Sequence, residues 1–398
     1  MTSTRLDDLI ESTAFSVDFV LKHVRRVSGN EALLPENLRG INVLDITGGS
    51  AFFARVLKVS FEWKDSQMEP KSVVLKVPRV QEIASPGLTN EEEEKKEDAD
   101  HVYLEVAHSR EVQFYSDFAN RPNGLRLPVF YYGSEYSRRH DKGVLIMEDL
   151  SRFSTTVNIL PGLTNEQIEN LIDELARLVA LSWKERSWVE PMVANPEEEQ
   201  EDFIQEMRSI SLELNRLDAR FKPLLERLAP LYTVASMDMS SYKEDKYGFP
   251  AALVHGDLWA PNILWRTDEN GAVTSKIGAV IDWQCVHAGN PLEDVGRLLV
   301  LNTTSAYRRA NQRRLLQLYV EKLREYCGGE SPLHEENVDD AFCAAMPYVT
   351  MFLGFGVPMY CSMPSVVRQD PKNKAADSAE LLDRTFCFFE EVIEAYGL

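Results

Sequence analysis

Positive charge is what this sequence most lacks. Its 43 lysines and arginines face 63 aspartates and glutamates in 398 residues, a formal net charge of −20 at pH 7. No run of Lys or Arg is long enough to override that balance, so nucleic acid and anionic membrane surfaces are excluded as expected partners. Cysteine is also sparse. The five, Cys285, Cys327, Cys343, Cys361 and Cys387, are odd in number and lack the short paired spacing of a zinc site or disulfide framework. A reduced, cytoplasmic setting is the expectation. The first residues, "MTSTRLDDLIESTAFSVDFVLKHV", carry acids where a secretion signal needs bases and have no unbroken apolar core. They read as an amphipathic helix.

Long apolar runs are missing with one exception. From Ala341 to Val367, "AFCAAMPYVTMFLGFGVPMYCSMPSVV" carries no charge and is long enough to span a bilayer, yet three prolines and two glycines interrupt it. A segment buried in a large core, or lining an apolar pocket, is the expected reading, and no membrane partner is expected. With 44% apolar and 27% charged residues, the chain can bury a substantial core, and its length exceeds what one core usually serves. Two lobes are expected, residues 1–148 and 149–398.

The first lobe reads as a small sheet. "INVLDI" (41–46), "ARVLKVSFEW" (54–63) and "SVVLKVP" (72–78) are rich in β-branched and aromatic residues, and the second puts Leu57, Val59, Phe61 and Trp63 on one face. Turns containing Gly48-Gly49 and Glu69-Pro70 join them. The charged stretch "SPGLTNEEEEKKEDAD" (85–100) reads as a solvated loop before a helix over 103–118. "PVFYYG" (128–133) and "GVLIME" (143–148) complete the strands. From about Asp149 the pattern turns helical, opening with Thr164 and Gln167 as a capping box ahead of Ile168, Leu171, Ile172, Leu175, Leu178 and Val179. A later helix starts at Pro291, with Asn290 as N-cap and Glu293 at the third position. No internal repeat is found.

The residues that bear chemistry lie in "HGDLWAPN" (255–262) and "VIDW" (280–283). Pro261 between Asp257 and Asn262 argues against one continuous helix and for a loop between short strands. "KIGAVIDW" (276–283) reads as a buried strand that ends at Asp282. Two acids and one carboxamide suit phosphoryl transfer: Asn262 and Asp282 offer the hard oxygens that Mg²⁺ requires, and Asp257 accepts the proton of an attacking hydroxyl. The acids would then recruit a metal, and the metal a polyanionic nucleotide.

Those motifs resemble the catalytic loop and metal-binding acid of the protein-kinase-like phosphotransferases, in the HGDxxxxN and IDW variant of aminoglycoside phosphotransferases and choline kinases. Together with "VLIMEDL" and "REVQFY" they resemble most the ecdysteroid-kinase-like, or CHK kinase-like, group. The resemblance implies an α+β, bilobal protein-kinase-like fold: a small antiparallel sheet with one main helix, then a larger helical lobe. It implies ATP and Mg²⁺ as cofactors. It makes Lys76 the lysine that holds the α- and β-phosphates and Glu111 its helix partner, with Glu105 a rival in the same helix. Glu148, Asp149 and Leu150 would be the hinge that receives adenine. Gly48, Gly49 and Ser50 would approach phosphate through their N–H groups or form a plain hairpin turn; the GxGxxG spacing is absent. His255 is expected to brace the loop, Trp259, Trp265 and Trp283 to pack, and Asp294 either to bond back to the loop or to serve the helix dipole.

After Asp282 the chain reaches the helix start at Pro291 directly, with no segment for docking a peptide. A small-molecule hydroxyl is the expected acceptor, steroid-like by analogy with the group's name. Choline and aminoglycosides compete, since acidity and aromatic residues suit cations. The rival from another class is a pseudokinase-like binding scaffold.

Overall fold

The computed structural model describes residues 9–10, 13–47, 53–79, 90–137, 139, 142–190, 192 and 197–398, and divides into two compact units. The first unit runs to Pro122 and resumes from Leu127 to Arg152; the second comprises Asn123–Arg126 and Phe153–Leu398. Gly48, Gly49 and Ser50 lie outside the described residues.

In the first unit, α1 (Val17–Ser28) is followed by β1 (Leu38–Asp45), β2 (Ala54–Trp63), β3 (Ser72–Pro78), α2 (Asn90–Phe118), β4 (Phe130–Ser134) and β5 (Val144–Glu148). The strands form one antiparallel sheet in the order β1-β2-β3-β5-β4. The alternation in β2 holds: Leu57, Val59, Phe61 and Trp63 are buried in a core shared with Val73, Leu75 and Ile146 and with Val20, Leu21 and Val24 of α1. Helix α1 begins later than the sequence suggests, because the Ser16 hydroxyl accepts the Phe19 N–H at 3.2 Å and caps it there. The acidic stretch is also corrected. The chain is helical from Asn90, so the Glu- and Lys-rich residues extend α2 instead of forming a loop.

The second unit contains β6 (Ser154–Thr155), α3 (Asn165–Lys184), α4 (Glu197–Ser211), α5 (Glu213–Leu217), α6 (Phe221–Leu228), α7 (Val234–Met237), β7 (Ala252–Val254), β8 (Ile263–Thr267), β9 (Val273–Val280), β10 (His287–Gly289), α8 (Leu292–Asn302), α9 (Ser305–Tyr326), α10 (Val338–Tyr360) and α11 (Pro371–Tyr396). The capping box at α3 forms as read: the Thr164 hydroxyl accepts from Gln167 N–H at 3.2 Å, and the Gln167 amide oxygen accepts from Thr164 N–H at 3.0 Å. At α8 the start shifts by one residue. Pro291 is the cap, Asn290 Oδ1 accepts the Leu292 N–H, and Glu293 closes no capping box because its carboxylate meets His287 and Arg297 instead.

The uncharged segment forms most of α10. That helix is long and apolar enough to cross a membrane, but most of it is buried in the second unit, against α4, α8 and α11. Pro347 and Pro358 lie inside it without ending it.

Candidate active site

Within the second unit, β7 delivers the chain into the loop His255–Asn262, which closes in a 3-10 turn at Ala260–Asn262 and leaves along β8. Pro261 sits in that turn, where its missing N–H costs nothing. The loop is held from within by His255, which is fully buried. Its Nδ1 accepts the Asp257 N–H at 3.1 Å, so the ring proton is on Nε2, which donates to Ile281 O at 3.0 Å. Asp294, near the start of α8, holds the same loop from outside. Its two carboxylate oxygens accept the N–H groups of His255 (2.7 Å) and Gly256 (3.0 Å). Burial and the neighbouring Glu293 push the Asp294 carboxyl up to about 6 against the pull of those two N–H groups.

Asp257 and Asn262 are brought together. The Asn262 Nδ2 donates to Asp257 O at 2.9 Å and to Asp257 Oδ2 at 3.1 Å. Both acceptors are oxygens, so the amide nitrogen must face them and the amide oxygen is turned away from Asp257. Ile281 N–H donates to Asn262 O at 2.9 Å, so Asp282 comes one residue after a direct backbone bond to Asn262. Asp282 has φ 66 and ψ 63, the left-handed region that non-glycine residues avoid. Such backbone is kept where its surroundings over-determine it, and functional sites are where it concentrates.

Do these groups fit a magnesium ion? Among the described residues, no three His, Cys, Asp or Glu side chains form a group that could hold a metal. Among the described residues there is therefore no dedicated protein cage. One carboxylate and one outward-turned amide oxygen is the sparse donor set that suits Mg²⁺, which keeps waters and phosphate oxygens in most of its shell.

In the first unit, Lys76 of β3 lies on the face opposite the buried Leu75, and its Nζ meets Glu111 Oε2 of α2 at 2.7 Å. Both are buried. Of the two glutamates left open by the sequence, Glu111 is the one found at that distance. One turn earlier on α2, buried His108 bonds Ser134 O through Nε2 at 2.8 Å and ties the helix to β4. Desolvation, with nearby Lys76, lowers its pKa to about 4.

The three residues expected to form the hinge differ from each other. Glu148 N–H donates to Val129 O at 2.8 Å and belongs to the sheet. Leu150 is buried. The Asp149 side chain is enclosed: Oδ2 accepts from Lys58 Nζ at 2.8 Å and from Ser72 Oγ at 2.5 Å, and Oδ1 accepts the Ser151 N–H at 2.9 Å. Burial would raise its pKa, but the bonds from Lys58, Ser72 and Ser151 outweigh it and hold the carboxyl at about 2. Lys58 also donates to Ser151 Oγ at 2.6 Å. Sequence reasoning missed Lys58, His108 and Arg297. The one available signal was that Lys58 and Lys76 occupy the polar phase of strands whose other phase is apolar.

The profile of a family described as "Uncharacterized oxidoreductase dhs-27" (DUF1679) matches residues 7–398. The chain belongs to this family. Two Caenorhabditis elegans proteins are similar to it. "Uncharacterized kinase-like protein D1044.1" is 25% identical over 80% of this chain and 84% of its own length. "Uncharacterized oxidoreductase dhs-27" is 24% identical over 80% of this chain, which spans only 40% of that protein's length. A choline kinase structure from Cryptosporidium parvum superposes with a TM-score of 0.51 at 12% identity, covering 96% of each chain. The DUF1679 chain thus has an α+β, kinase-like fold, as the motifs implied.

Proposed function

We propose that this protein is a small-molecule kinase that transfers the γ-phosphoryl group of ATP to a hydroxyl of an organic acceptor. The observation that carries the reading is the 255–262 loop: Asp257 is held by the Asn262 amide, with its backbone clamped by His255 and Asp294. Asp257 would accept a hydrogen bond from the acceptor hydroxyl and take its proton as the bond to phosphorus forms. Asn262 Oδ1 and the Asp282 carboxylate would hold Mg²⁺, which when bound neutralises phosphate charge. Lys76, oriented by Glu111, would donate to phosphate oxygens. Since the Glu148 N–H is committed to the sheet, adenine would be met by the backbone of Asp149 and Leu150, whose placement Lys58 and Ser72 support.

Between Asp282 and α8 the chain makes only a 3-10 turn and β10, with no segment for docking a peptide, which favours a small acceptor. A steroid-like acceptor is the finer proposal, and a cytoplasmic location accompanies it. The oxidoreductase name borne by a longer relative finds no counterpart here: among the described residues every strand pairing is antiparallel, so the parallel sheet of a dinucleotide-binding fold is missing.

The test is mass gain of one phosphate when full-length protein and Mg-ATP meet a panel of hydroxylated metabolites that includes ecdysteroids, choline and aminoglycosides. Asp257→Asn should lower turnover by about 10²–10⁴-fold, the usual share of a positioned general base. Equal rates in the two proteins would end the proposal and leave a binding scaffold.

A further inference from the structure

A buried guanidinium that no part of the kinase reading uses lies on α8. Arg297 is 3% exposed, and its Nε has no hydrogen-bond acceptor. Its charge is compensated, because Nη2 is paired with Glu293 Oε1 at 3.1 Å. Glu293 is ionised: its burial works against the charge, but His287 and Arg297 lower its pKa. Buried donors are nearly always paired in folded proteins, and leaving one unpaired is costly. The Nε donor calls for a partner.

The surroundings say where that partner would come from. The guanidinium carbon stands 3.3 Å from the centroid of the Phe352 ring and 5.9 Å from that of Tyr348, both on α10. Close approach of the helices makes this stack feasible: at Gly296 an added Cβ would fall 3.2 Å from Val349. Along α10, Phe352, Phe355, Met359 and Tyr360 are only partly buried, and Phe203 of α4 lies 6.1 Å from Phe355. Tyr360 stacks on Trp259 with ring centroids 4.8 Å apart, and Trp259 follows Asp257 by two residues. Asp257 in turn acts electrostatically on both Arg297 and Tyr360. A half-open aromatic strip therefore runs from the proposed base to an arginine with a donor to spare.

We propose that Arg297 selects the acceptor: its Nε donates to an uncharged oxygen, such as a ketone, carried by the molecule whose hydroxyl meets Asp257. The inference rests on the kinase reading for the role of Asp257 and adds the chemistry of the other end of the substrate. Two alternatives are disfavoured by charge. A quaternary ammonium would seek an aromatic face, but the Phe352 face is already occupied by the guanidinium stacked 3.3 Å from its centroid. A carboxylate would meet an arginine whose charge Glu293 has already neutralised, close to the Asp257 carboxylate. A neutral oxygen asks only for the donor that is unspent.

Three probes isolate the point: 4-hydroxycyclohexanone, 4-hydroxycyclohexanecarboxylate and 4-hydroxycyclohexyl-trimethylammonium. Binding to the full-length protein is measured by saturation-transfer NMR with titration, in the presence of Mg-ADP. The wild type should bind the ketone at least tenfold more tightly than either charged probe. Arg297→Met should bring the three within about twofold, whereas Arg297→Lys should lose the ketone preference and still refuse the ammonium. Thermal melts establish that each variant is folded, and the wild-type ranking tests the idea even if one is not. The proposal is overturned if the ammonium probe binds as tightly as the ketone, if the ranking survives in Arg297→Met, or if none of the three binds. Because binding is read and not turnover, an inactive wild type with the expected ranking would sink the kinase reading alone.

Discussion

At the scale of single residues, the loop that carries Asp257 depends on a position with no side chain. Gly256 has φ +79, and a Cβ built on it would fall 2.3 Å from Cys285 O and 3.1 Å from His287 Nδ1. The left-handed backbone alone would cost an L-residue roughly 1–2 kcal/mol. The carbonyl cannot rotate away as a flexible side chain would, so Gly256→Ala must move backbone on one side or the other. A displacement near 1 Å at a reacting group costs about 10²-fold in rate. Gly256→Ala should therefore lower the melting temperature modestly and turnover much more; a variant with unchanged turnover would show that the loop tolerates the shift. The sequence made Asp257, Asn262 and the bracing role of His255 readable, because Pro261 and the residue types constrain a loop strongly. Arg297 was not readable. An arginine one turn from an acid on an amphipathic helix looks like any surface pair, and only the packing of Phe352 on its face reveals that it is buried.

At the scale of elements, Asp149 is tied to the sheet by charge. Asp149 has a folded-state pKa near 2 against an ordinary 3.8, so the folded form releases this proton more readily than the unfolded chain does. The stabilisation is then present above about pH 4 and is lost as pH falls from about 4 towards 2. Asp149→Asn should lower the melting temperature at neutral pH and flatten the acid limb of its pH dependence in that window. Lys58→Met should give the same flattening, because Lys58 heads the groups that lower the Asp149 pKa. Parallel acid limbs in wild type and Asp149→Asn would contradict the assignment. The same scale shows why α2 was misread at its start. Glu91 and Glu92 stand four residues before Lys95 and Lys96, a spacing that supports a helix, and Glu and Lys are strong helix formers. Charge density was taken as a sign of loop, although propensity and pairing favoured the extension that occurs. The strands were easier, since a period of two with one buried face leaves little choice of register.

At the scale of the whole molecule, two units with separate cores arise from one chain, and the kinase-like fold was legible because its motifs fall at the junctions of strands and turns. What the second unit uses to hold the 255–262 loop was not. Arg384 of α11, buried and 2% exposed, donates through Nη1 to Ile159 O (2.8 Å) and Leu301 O (2.7 Å) and through Nη2 to Pro161 O (2.7 Å). Leu301 is next to Asn302, whose Oδ1 accepts the Ala260 N–H of the loop at 2.8 Å and whose Nδ2 donates to Leu298 O at 3.1 Å. One arginine far along the chain thus fixes the end of α8, and the end of α8 fixes the loop. Arg384→Met would leave three buried carbonyls without their donor, at about 1–3 kcal/mol for each unsatisfied group, and the total should fall near 3 kcal/mol because water reaches part of the gap. Hydrogen exchange tests the placement: amides of α8, α11 and residues 256–262 should lose protection, and those of β1 to β5 should keep theirs. Uniform loss across both units would mean that Arg384 sets global stability and not the support of this loop. If protection falls only where expected, Asn302→Ala should reproduce the loss at residues 256–262 without touching α11, since it removes the second link and spares the first.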